Sequence, residues 1–168
     1  MPLSMYQASV PVFVRMLNNL AGILDKAAAH AEAKKIDPAV LINSRLYPDM
    51  FALARQVQIV SDTAKAGAAR LAGLEPPAFE DNETSFPDLI ARVQKTVSYL
   101  NTLTPAQIDG SEDKTISFQM RGQTRTFQGQ PFLLNHVIPN LYFHITTTYA
   151  ILRHNGVELG KKDYLGKP

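Results

Sequence analysis

The sequence contains no cysteine, which excludes disulfides, thiol nucleophiles, thiolate zinc fingers and iron–sulfur clusters together. A cysteine-free chain fits the cytoplasm. Charge of one sign is equally scarce: 17 Lys+Arg against 15 Asp+Glu leave a net charge of +2, too little for the basic footprint of a nucleic-acid binder. The opening MPLSMYQASVPVF lacks the basic region, apolar run and small-residue cleavage site of a secretory signal, so the whole chain is expected to be mature protein. No nucleophile or oxyanion-hole motif dictates one reaction. What remains is 168 residues, 45% hydrophobic and 19% charged, the composition of one globular domain spanning 1–168.

The longest lack of charge is the segment from Thr126 to Leu152, which holds two histidines, His136 and His144, and no formally charged side chain. It is long enough for a membrane span, but Asn135, His136, Asn140, His144 and three consecutive threonines would be costly in lipid, so no membrane partner is expected. Leu134, Val137, Leu141, Ile145, Thr148 and Leu152 recur at steps of three and four, the stripe of a buried helix. At 100° per residue His144 lies about 20° from Val137, beside the buried seam, and Asn140 about 40° from His144. Pro139 cannot donate to the carbonyl of Asn135 and crowds it, so the helix should bend beside these polar side chains.

Three further long helices precede it. The first runs from Ser4 to near Lys35 with a seam of Val10, Phe13, Leu17, Leu20, Leu24 and Ala27, and Pro11 either kinks it or marks where its regular part begins. Asp37-Pro38 caps a short helical turn. The second starts at Tyr47-Pro48-Asp49 and ends at Gly73; its seam is Met50, Ala54, Val57, Ser61, Ala64, Ala68 and Leu71, with Gln58 and Asp62 four residues apart on one face beside it. Small residues in its second half invite close approach of a neighbour. Residues 74–84, LEPPAFEDNET, read as a solvated crossover. Ser85-Phe86-Pro87-Asp88 resembles a capping box opening the third helix. Thr104-Pro105 starts a short turn.

Between the third and fourth long helices, TISFQMRGQTRTF alternates apolar and polar residues about a tight Arg121-Gly122 turn. That is a β-hairpin in which Ile116 faces Phe127. Its Arg121 and Arg125 read either as solvated charges or as an anion grip. The fold class is therefore all-α: an up-and-down four-helix bundle with a small β-hairpin between helices three and four, and helix four the most buried. Apolar residues of helix one outside its seam (Val12, Val14, Met16 and Ile23) suggest a homodimer.

The closing HITTTYAILRHNG, together with SMYQASVPVF, LYPDMFALARQVQIVSDTAK and FHITTTYAILRHNGVELGKKDYLG, resembles the DinB/YfiT-like superfamily of bacterial four-helix bundles. Within it, the likeness is to a branch annotated only as a domain of unknown function. The resemblance covers essentially the whole chain. It implies a divalent metal, zinc or nickel, held by one histidine from helix two and an H-x3-H pair from helix four, in relatives that act as thiol transferases or hydrolases. His144 matches the second histidine of that pair, whereas Asn140 stands where the first should be. Helix two has no histidine; Gln56, Gln58 and Asp62 are its nearest polar residues. Amides are poor zinc donors, so the ligand set falls short.

The implied pocket is lined by His144, Asn140, His136, Gln58 and Asp62, with His144 as the metal ligand. One reading is a small-molecule-binding or stress-related module with a degenerate metal site. The alternative is a metal-dependent hydrolase or thiol transferase with a rebuilt histidine site. A third is a metal-free enzyme with His144 as general base.

Overall fold

The chain folds in the order α1 (Val10–Lys34), α2 (Pro38–Ile42), α3 (Leu53–Ala72), α4 (Phe86–Leu100), α5 (Pro105–Ile108), β1 (Thr115–Met120), β2 (Gln123–Gln128), α6 (Gly129–Phe132), α7 (Ile138–His154) and α8 (Lys161–Leu165). This is a computed structural model describing residues 3–167. A π-helical turn, Leu133–Val137, joins α6 to α7. The four long helices α1, α3, α4 and α7 form the bundle, with α1 packed on α4, and α3 between α4 and α7. The hairpin precedes α7, as its alternation requires, and Ile116 pairs with Phe127. No helix among the described residues is long and apolar enough to cross a membrane.

Local chemistry sets the ends of these elements. Pro11 lies in the first turn of α1 rather than inside it, so it marks the start of the regular helix and breaks no internal hydrogen bond. Asp37 accepts from the Ala39 amide to cap α2, and Ser85 and Asp88 form the reciprocal capping box of α4. Gly73, at φ +76°, stops α3 in the left-handed conformation that glycine adopts without a Cβ clash.

The second long helix starts later than the sequence suggests. Residues 47–50 close a turn in which the Met50 amide bonds the Tyr47 carbonyl at 3.0 Å, Ala52 is extended, and α3 begins only at Leu53. Pro48 therefore serves a turn instead of a first helical turn, and Met50 drops out of the seam. A second correction concerns burial: 12 of the 20 residues of α3 are buried against 7 of 17 in α7. Helix α3 is the central one because it is flanked on two sides, whereas α7 turns Phe143 and Thr146 to solvent.

The π-turn corrects the apolar stripe of α7. Leu133, not Leu134, is buried, and Leu134 is 48% exposed. A π-turn holds more than four residues, so the position under Val137 moves from three residues back to four. Its cause is adjacent: Pro139 has no amide hydrogen for the Asn135 carbonyl, and the widened turn absorbs that mismatch.

Residues 74–84 are likewise more than a solvated crossover. Arg92, with its side chain only 2% exposed, ties the segment down through Glu83 at 2.9 Å, Asp81 at 2.9 Å and the Glu80 carbonyl at 2.9 Å, and it also holds Asp62 at 2.9 Å. The ring of Phe79 lies under the ammonium groups of Lys65 and Lys95, at 3.9 and 4.2 Å from its centroid. At the other end of the chain, α8 docks on α1. Arg15 donates to the carbonyls of Leu165 and Lys167, Asn19 to that of Tyr164, and Lys26 pairs with Asp163. Met16 and Ile23 are buried inside the chain, whereas Val12 and Val14 stay half-buried.

Helices α3 and α7 come closest at Gly67, where an added Cβ would stand 2.6 Å from a methyl of Val137. Alanine gains about 1 kcal/mol of helix propensity over glycine, but overpacking a filled seam costs typically 1–3 kcal/mol. Gly67→Ala is therefore expected to lower stability by about 1 kcal/mol in urea unfolding, and to become neutral or stabilising in a Val137→Ala background. Stabilisation by Gly67→Ala alone would overturn this account of the seam.

Candidate functional site

Going round α3 at 100° per residue, Thr63 and Gly67 lie within about 20° of Gln56, while Gln58 and Asp62 lie about 160° and 120° away. The first three form the stripe that meets α7. Gly67 abuts Val137, Thr63 accepts a hydrogen bond from the Asn140 amide at 3.2 Å, and Gln56 meets His144 at 2.6 Å. The two helices run antiparallel, so the rungs advance along α7 as they retreat along α3.

The structure thus brings together His144, Asn140 and His136 but not Gln58. Gln58 faces the other way and donates to Glu83 at 2.9 Å. Asp62 reaches the rim of a cleft shared with His136 and Asn140, yet its carboxylate is held by Arg92 at 2.9 Å and by Lys65 at 3.1 Å. Both corrections have one cause, since these residues belong to the α4 side of α3. Gln56 takes the place across from His144. The signal for it in the sequence is the spacing Gln56, Thr63, Gly67, a polar stripe ending in a glycine.

The protonation of His144 follows from its partner. The Gln56 side-chain amide donates to the Phe51 carbonyl at 3.1 Å, so its Oε1 faces the imidazole as an acceptor; the reversed amide would set two oxygens against each other. His144 Nδ1 therefore carries the hydrogen and donates. Among the described residues Nε2 has no hydrogen-bond partner and is not among the atoms sealed from solvent, so its lone pair opens on the adjoining cleft. Phe51 can supply that carbonyl because α3 starts only at Leu53. Burial, and then the positive charge of Arg55, hold the His144 pKa below the usual 6.5, which keeps the ring neutral.

The cleft encloses about 560 Å³ between α3, α7 and the hairpin, and is lined by Phe51, Ile59, Met120, Arg121, Gln123, Arg125, His136, Asn140 and His144. His136 lies among Phe118, Phe127 and Phe132, with ring centroids 5.2 to 5.9 Å away. Its pKa is lowered by burial first and then by Arg70. The edge of His144 is covered by Phe143, at 5.1 Å between centroids.

The donors do not fit a divalent metal. Among the described residues no three His, Asp or Glu side chains converge as ligands. Where α3 and α7 meet, Gln56, Asn140 and His144 supply one imidazole and two amides, and both amides are engaged by Phe51 and Thr63.

A four-helix bundle with this hairpin and this α3–α7 seam defines a DinB/YfiT-like protein. The chain belongs, more narrowly, to the family described as "Domain of unknown function (DUF1993)", whose model matches residues 5–165. It is similar to a solved structure titled as a DinB family member protein from Shewanella denitrificans, with 50% identity over 97% of this chain and 92% of that one and a TM-score of 0.89. No curated protein matches the chain.

Two predictions follow from the histidine geometry. Gln56→Leu leaves His144 Nδ1 and the Phe51 carbonyl without partners, at a cost of about 1–3 kcal/mol; nitrogen NMR should show Nδ1–H imidazole in the wild type and mixed tautomers in the variant. An unchanged tautomer would refute the assignment. The second concerns pH. Both histidines are depressed in the folded state, so below about pH 6.5 the unfolded chain binds more protons and stability falls with falling pH until the folded pKa values are passed. Asp88 and Asp163, also lowered from 3.8, lose their contribution only in more acid solution. Urea midpoints should drop between pH 7.5 and 5.5, and less steeply in a His136→Gln/His144→Gln variant.

Proposed function

We propose that this protein is a small-molecule-binding module in which a metal site has degenerated into a hydrogen-bonded Gln–His pair. The observation that carries the reading is the Phe51–Gln56–His144 chain: it spends Nδ1 internally and presents a neutral Nε2 lone pair to a cleft with apolar and polar walls. Ligand pockets are built this way, with a few fixed polar groups among hydrophobic ones. Binding is favoured over catalysis because the nearby hydroxyls are committed elsewhere. Thr147 and Thr148 each donate to the carbonyl four residues back, at 2.8 and 2.9 Å, so neither is poised as a nucleophile for His144. The absence of cysteine supports a cytoplasmic setting, and a stress-related role belongs to the same reading.

Metal analysis of the purified protein after incubation with zinc or nickel and gel filtration tests it. Well below one equivalent of either metal is expected, with no change between wild type and His144→Gln. One equivalent bound by the wild type and lost in the variant would overturn the degenerate-site reading in favour of the metal-dependent hydrolase or transferase.

A further inference from the structure

The walls of the cleft carry an imbalance of charge. Arg121 and Arg125 project from the hairpin into its lining, and among the described residues no carboxylate lines it. Arg121 also lines the neighbouring cleft with Arg55 and Arg70, and the two spaces share Met120, His136 and Asn140. The one acid there, Asp62, is neutralised by Arg92 and Lys65. Among the described residues neither Arg121 nor Arg125 has an ion-pair partner. Solvated arginines commonly lack one, but here two further features set them apart.

The first is the turn. Arg121 and Gly122 have φ +52° and +75°, the two left-handed positions of a tight two-residue hairpin loop. Asn, Asp or Gly fills the first of these at lower cost, so the arginine is held where its backbone is least comfortable. The second is the rest of the lining, where Phe51, Ile59 and Met120 offer apolar surface beside the His144 lone pair. Paired guanidiniums read carboxylate and phosphate oxygens through forked N–H donors, while the apolar wall asks for a hydrocarbon or ring.

Resting on the binding-module reading above, we infer that the cleft selects a small organic anion, a carboxylate or phosphate on an apolar body, gripped by Arg121 and Arg125 with its body against Phe51, Ile59 and Met120. His144 Nε2 lies beside the bound body and accepts from any hydroxyl or N–H that a ligand carries there.

The test uses the full chain, titrated with phenyl phosphate, benzoate, benzyl alcohol and inorganic phosphate, and followed by chemical shifts of the His144 ring and the hairpin amides. Phenyl phosphate and benzoate are expected to shift both sets, with benzyl alcohol and inorganic phosphate at least tenfold weaker. Replacing both arginines by glutamine should weaken the two aromatic anions at least tenfold and leave benzyl alcohol unchanged, while an Arg121→Lys/Arg125→Lys variant, which keeps the charge and loses the fork, should fall between the two. Equal binding of benzyl alcohol and benzoate would overturn anion selection while leaving the binding-module reading intact. Inorganic phosphate binding as well as phenyl phosphate would overturn the role of the apolar wall. Shifts at the hairpin without any at His144, for every probe, would overturn both readings, as would no shifts at all.

Discussion

The close approach of α3 and α7 is the constraint on which the rest depends. Gly67 removes a side chain so that Val137 can enter the seam, and the same proximity carries Thr63 to Asn140 and Gln56 to His144. At ordinary helix separation these polar side chains would fall outside hydrogen-bond reach, and the buried Gln56, the half-buried Asn140 and the imidazole would each lose a partner. Close packing and polar satisfaction are therefore one requirement here. The π-turn belongs to it as well. Pro139 withdraws a donor from the helix, and the widened turn at Leu133–Val137 places Val137 against Gly67 while swinging His136 into the phenylalanine cluster under the hairpin.

A second polar system lies on the opposite side of α3, and its function is to keep the acids occupied. Asp62, Asp81 and Glu83 all converge on Arg92, which is nearly inaccessible to solvent. Removing a buried guanidinium from such a set would strand charge. Arg55 links the two sides, because it pairs with Asp81 and yet contributes positive charge at His144. With the nearby acids drawn to the α4 face, the α7 face is left with arginines, amides and imidazoles. The asymmetry follows from the register of one helix.

That register explains how much could be read from the sequence. The four helices, the capping box at Ser85, the Asp37 cap and the Ile116–Phe127 hairpin pair were legible because each rests on a local rule: periodicity of three and four, a reciprocal side-chain cap, or strict alternation. His144 was legible for the same reason, as a polar residue about 20° from a buried valine. Gln58 and Asp62 mislead because they flank the seam of Val57 and Ser61 on the side toward α4, where Ser61 meets Thr96, whereas the stripe toward α7 runs through Gln56, Thr63 and Gly67. Leu134 misled because an ideal 3.6-residue turn was carried through a π-turn. The acids of residues 74–84 looked like solvated loop because their partner, Arg92, lies in a different element. Tertiary partnerships leave no periodic trace.

The pairing of Gln56 with His144 also sets what the imidazole can do. A histidine committed to a metal gives its lone pair to the ion and has no further acceptor to offer. Here the order is inverted, since the protein holds Nδ1–H and the lone pair of Nε2 remains for whatever enters the cleft. Burial and Arg55 disfavour the imidazolium in the empty cleft, so the ring is an acceptor by default. An anion beside it would cancel part of that positive field and make protonation easier. Charge in such an anion and protonation of His144 would thereby be coupled through space, with the Gln56 side-chain carbonyl fixing the ring.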